Sequence, residues 1–99
     1  MKLEITRKVE QKEIVEIELP YYYKHDLMLD KVDVVIYGKV EENKCTAIQI
    51  SQGRELEFEL SVERRPAAQY GCYMADEYKS NEAEYLAAKV KLLAAAQDA

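Results

Sequence analysis

Ninety-nine residues, 48% apolar and 33% charged, are enough for one domain (residues 1–99) with its own core, and too apolar for wholesale disorder. A net charge of −5, with basic residues scattered and Arg64-Arg65 the only adjacent arginine pair, argues against binding to nucleic-acid phosphates. Three glycines exclude a glycine-rich phosphate loop, and the N-terminal residues lack the apolar run of a signal peptide. No stretch approaches the roughly 20 apolar residues of a membrane helix.

The chain begins with an alternating segment, residues 2–10, in which Leu3, Ile5 and Val9 share a face that Arg7 interrupts. Gln11-Lys12 is expected to turn, and residues 13–19 return with Val15, Ile17 and Leu19 inward and Glu16 and Glu18 outward. The two form an N-terminal hairpin, which Pro20 ends. Residues 21–31, opening with Tyr21, Tyr22 and Tyr23, are expected to be a long loop with one helical turn near 26–30.

Residues 32–40 place Val32, Val34, Ile36 and Val40 on one face and Val35 and Tyr37 on the other, the pattern of a central strand covered on both sides. Gly38 marks a bulge or a close neighbour. Residues 41–44 turn, 45–52 return, and Gly53 leads into residues 54–62. There Leu56, Phe58, Leu60 and Val62 alternate with Glu55, Glu57, Glu59 and Ser61, giving an inward apolar row and an outward acidic one. Residues 63–77 lose the alternation and read as a loop. Ser80 or Asn81 caps a terminal helix, with Glu84 completing a capping box. Its expected buried stripe is Ala83, Leu86, Ala87, Val90, Leu93 and Ala94.

The fold expected is α+β: an antiparallel five-stranded sheet, made of the hairpin plus a three-strand meander, packed by one C-terminal helix.

Catalytic types are sparse. His25, the only histidine, has Asp26 beside it and Asp30 nearby, which could serve a metal or a small ligand; a surface histidine with ordinary polar neighbours is the plainer reading. Cys45 and Cys72 show no metal-ligand spacing. No nucleophile-elbow or dinucleotide motif is present. No cofactor or metal is implied.

Two features stand out. Six of the eight tyrosines fall at 21–23 and at 70, 73 and 78, and there is no tryptophan. Tyrosine suits protein interfaces, although such rings can equally close the ends of a small core. The carboxylates of Glu55, Glu57 and Glu59 recur every ~6.6–6.8 Å along an extended strand, as on any soluble strand or on an imitation of a phosphate backbone. The expectation is a cytoplasmic, non-enzymatic interaction module, an accessory or inhibitory protein of the kind phages and mobile elements carry. Tyr21, Tyr22, Tyr23, Tyr70, Tyr73, Glu55, Glu57 and Glu59 would meet a protein partner, one that itself handles nucleic acid being a candidate. A free sheet edge also allows a homodimer. The alternative is a small-ligand or metal-binding protein with its site at the His25/Asp26 loop.

Overall fold

The computed structural model describes residues 2–8 and 11–97. These residues form six strands, β1 (Lys2–Lys8), β2 (Gln11–Glu16), β3 (Tyr21–Leu29), β4 (Val32–Glu41), β5 (Lys44–Gln52) and β6 (Leu56–Glu63). Two 3-10 helices follow, Ala67–Tyr73 and Asp76–Tyr78, and then helix α1, Glu82–Gln97.

The single five-stranded sheet is corrected to two sheets, both antiparallel: β1-β2, and β3-β4-β5-β6 in that order. The sixth strand is the segment read as a loop. Tyr21, Tyr23, His25 and Leu27 alternate with Tyr22, Lys24, Asp26 and Met28, and all nine residues of β3 pair with β4. Its hairpin turn is Asp30-Lys31, both at positive φ (49° and 66°), the two-residue geometry that matches strand twist. Asp-Lys is a weak signature for that turn, and three tyrosines with a histidine looked more like a binding loop than a strand. Tyrosine is nonetheless a good strand former.

β4 is central, as its two apolar faces require. One face packs under α1: Ile48 and Ile50 of β5 are buried with Tyr85 and Ala88 of the helix, and Tyr22, Tyr37, Phe58 and Leu92 close around them. The opposite face carries Tyr23, Val40 and Cys45, roofed by Ala67 and Tyr70 of the first 3-10 helix. The β1-β2 hairpin lies over that roof. A Cβ on Gly71 would meet the Cβ of Ile5 at 2.6 Å, so glycine there lets the hairpin seat, and Ile5 is fully buried. The molecule therefore has three layers, because a second face of the sheet needed its own cover.

Within the hairpin, Gln11 and Lys12 belong to β2 rather than to a turn. Residues 9 and 10 and the Arg7 side chain, with the break it was read to make, lie outside the described residues.

Two burial expectations are corrected. In α1, Tyr85 and Ala88 are buried and Leu92 half-buried, while Leu86, Val90 and Leu93 are exposed. The helix is apolar on two sides, and sequence periodicity selected the wrong one. In β6, Phe58 is half-buried beneath α1, but Leu56, Leu60 and Val62 are exposed, because β6 is an edge strand that α1 only partly covers.

Among the described residues, no helix is long and apolar enough to cross a membrane.

Candidate functional site

The expected site residues divide among three places. Tyr23 and Tyr70 are buried and offer little surface to a partner. Tyr23 stacks on Tyr73, ring centroids 4.2 Å apart and planes 7° from parallel. Its hydroxyl lies 3.9 Å from the Cys45 thiol, and burial pushes the ionisation of both groups up. Tyr21 donates its hydroxyl to the Tyr73 carbonyl at 3.0 Å, tying β3 to the 3-10 helix. Tyr22 points to the other face, 5.6 Å from Tyr85. Most of the tyrosine oddity is thus a packing device: rings fill the space between sheet and roof while their hydroxyls find partners.

Tyr21 and Tyr22 border a cleft of about 410 Å³ beside β3, with Glu16, Glu18, Asp76 and Lys79. Its walls carry both signs of charge.

His25 and Asp26 are neighbours on a strand, so their side chains leave opposite faces of the sheet. The His25 ring packs against Tyr73 and Tyr78 at 5.7 and 5.2 Å. Its Nδ1 is buried without a hydrogen-bond partner among the described residues. Asp26 instead lies beside Asp33, and this neighbouring carboxylate raises the Asp33 carboxyl above its usual range. The loop imagined around them is a regular hairpin. Among the described residues, no group of three or more His, Cys, Asp or Glu is placed to hold a metal.

The remaining place is β6. Among the described residues it pairs only with β5, so its outer edge presents free backbone donors and acceptors. Register puts Leu56, Phe58, Leu60 and Val62 on the α1 side, opposite Gln52, Ile50, Ile48 and Thr46. Glu57, Glu59 and Glu63 are on the tyrosine side, with Glu55 just before the strand; all four are exposed. Beneath the acidic row runs a groove of about 210 Å³ between β6 and the 3-10 roof. Glu59, Ser61 and Glu63 form one wall, Tyr70 and Tyr73 the other. Tyr70 donates its hydroxyl to Glu63 at 3.3 Å, and Arg65 meets the same carboxylate at 3.3 Å. Burial, with the nearby Cys45 and Glu63 groups, pushes the Tyr70 hydroxyl up to about 12.

Of the expected residues, then, the fold brings Tyr23, Glu59, Tyr70 and Tyr73 together around this groove and leaves Tyr21 and Tyr22 near the opposite sheet edge. The sequence reading missed Ser61 and Glu63 as walls of this groove. Glu63 was legible as the next acidic position on the β6 alternation, two residues beyond Ser61.

Cys45 and Cys72 are both free thiols, the first buried and the second exposed. Comparison of the chain with protein-family models, curated proteins and solved structures finds no match.

Proposed function

We propose that this chain is a non-enzymatic interaction module that takes an extended, basic segment of a partner protein along β6. One observation carries the reading: an unpaired edge whose apolar row and carboxylate row are segregated on its two faces. Strand addition uses the free backbone groups for affinity and the alternating side chains for specificity. The complementary segment alternates apolar residues with Lys or Arg. Its apolar side chains meet Leu56, Leu60 and Val62, and its cations meet Glu57 and Glu59. The groove floored under β6 offers a cation both carboxylates and tyrosine faces.

The same charges disfavour pairing of β6 with a second copy of itself. Two copies of the strand laid antiparallel with apolar rows matched bring glutamates opposite glutamates, which disfavours the pairing. The partner is therefore basic. A protein that handles nucleic acid is one source of such a segment, since it carries cations for phosphate contacts.

Catalysis has little support. Burial raises the Cys45 thiol, which lowers the thiolate population a nucleophile needs, and His25 is packed between tyrosines.

The test is fluorescence anisotropy with an eight-residue peptide alternating Val and Lys. Binding is expected to weaken with added salt, to fall at least tenfold in Glu57→Lys/Glu59→Lys, and to vanish when alternate peptide nitrogens are methylated. A Val/Glu peptide should not bind. Equal binding of the Val/Lys peptide to the native chain and the charge-reversed variant would sink the proposal.

A further inference from the structure

Exposed apolar surface is concentrated on one side of this molecule. Of the eight large hydrophobic residues exposed among those described, only Ile14 lies on the hairpin; the other seven lie on α1 or on the α1 side of the sheet. Three of them, Leu86, Val90 and Leu93, are 45%, 65% and 52% exposed on the outer side of α1, turned away from Tyr85, Ala88 and Leu92. Exposed Ala83, Ala87 and Ala94 continue the same stripe. A helix with a second apolar face at this spacing is built to pack against another helix.

The charges beside the stripe say which helix. At 3.6 residues per turn, Glu82 and Lys89 fall on one flank, and Glu84 and Lys91 on the other. Each flank is acidic towards the N-terminus and basic towards the C-terminus. A second copy of α1 laid antiparallel reverses that order, so acid meets base on both flanks. A parallel copy would put glutamate beside glutamate.

We infer that the chain forms a two-fold homodimer through the outer face of α1, the two helices antiparallel and centred between Leu86 and Ala87. In this register Val90 packs against Ala83 of the second copy, while Leu86 meets the second copy's Leu86 on one flank of the two-fold axis and Ala87 meets its Ala87 on the other. Val90 thus faces a small residue, and the facing alanines let the helix axes approach closely. Glu82 meets Lys89 of the second copy and Glu84 meets its Lys91. The opposed helix dipoles add to the match. The interface is isologous, so it closes at two copies. It leaves the hydrogen-bonding edge of β6 open and stands independently of the partner proposed for that edge.

Sedimentation equilibrium of the full chain reads the mass directly. Twice the 11.5 kDa chain mass is expected at micromolar concentration, and 11.5 kDa for Leu86→Glu/Val90→Glu. Both side chains are exposed, so the far-ultraviolet circular dichroism of that variant should be unchanged. Orientation is read by oxidative cross-linking in a Cys72→Ser background. Ala87→Cys should cross-link, because the two copies of residue 87 flank the two-fold axis. Ala94→Cys should not, because an antiparallel pair holds the two copies of residue 94 about 22 Å apart along the axis. A native chain at 11.5 kDa up to millimolar concentration, a dimer that survives Leu86→Glu/Val90→Glu, or Ala94→Cys cross-linking as readily as Ala87→Cys, would each overturn the inference.

Discussion

Gly38 and Tyr23 show how much one missing methyl can decide. They are direct partners across β3 and β4, and the tyrosine ring covers the glycine. A Cβ at position 38 would collide with the ring's Cε1. The ring has nowhere to go, since Tyr73 is stacked on its other side. Gly38→Ala is therefore expected to lower stability by about 1–3 kcal/mol, the range for overfilling a packed core. Urea denaturation would measure this, and an unshifted midpoint would contradict it. The sequence already marked Gly38 as a place of close approach. It does not identify the neighbour, because residues 21–31 read as a loop in the sequence, and only strand pairing delivers a residue 15 positions away onto that glycine.

At the scale of elements, α1 begins where its local chemistry says it should. The Asn81 side chain accepts a hydrogen bond from the Glu84 N–H at 2.9 Å, and Ser80 donates its hydroxyl to the Glu84 carboxylate. The box is thus shared between Ser80 and Asn81, with the Ser80 hydroxyl taking the acid. Asn81→Ala should cost about 1 kcal/mol, read as a lower midpoint in thermal unfolding followed at 222 nm. No change would mean that the Ser80 N–H bond to the Tyr22 carbonyl, 2.9 Å long, anchors the helix start by itself. Local signals also placed β4, β5 and β6, because β4 and β5 are apolar runs of strand length and β6 alternates strictly, each between turns of recognisable composition. They failed for β3, where the composition of an interface concealed a period of two, and for the 3-10 helices, whose short turns have no periodicity to detect.

For the molecule as a whole, tyrosines are the mortar on both faces of the sheet. Tyr23 lies under the roof, Tyr70 and Tyr73 belong to it and Tyr85 sits on the sheet side of α1, and in each burial is the chief cause that raises the hydroxyl above its usual value of 10.0. The unfolded chain releases these protons near pH 10, whereas the folded chain keeps them, Tyr70 until about 12. Their stabilisation is complete below about pH 10 and is lost as pH climbs through the folded values. The urea midpoint at pH 11 should accordingly lie well below that at pH 8, and Tyr70→Phe should reduce the difference. Equal midpoints for the native chain at the two pH values would show that these rings ionise as freely folded as unfolded.

What the residue order determined by itself is what depends on near neighbours: the apolar runs of β4 and β5, the alternation of β6, the cap at Asn81, the tight place at Gly38, the acidic row on β6. The tertiary structure alone decided which of two apolar sides of α1 is buried, since both satisfy the helical period and only the sheet beneath distinguishes them. It likewise sent the N-terminal hairpin over the tyrosine roof instead of into the main sheet, because an apolar row specifies that a face must be covered and is silent on what covers it. The candidate groove shares that origin: Glu59 and Glu63 come from one strand, Tyr70 and Tyr73 from a helix beyond it, and only packing makes them walls of one space.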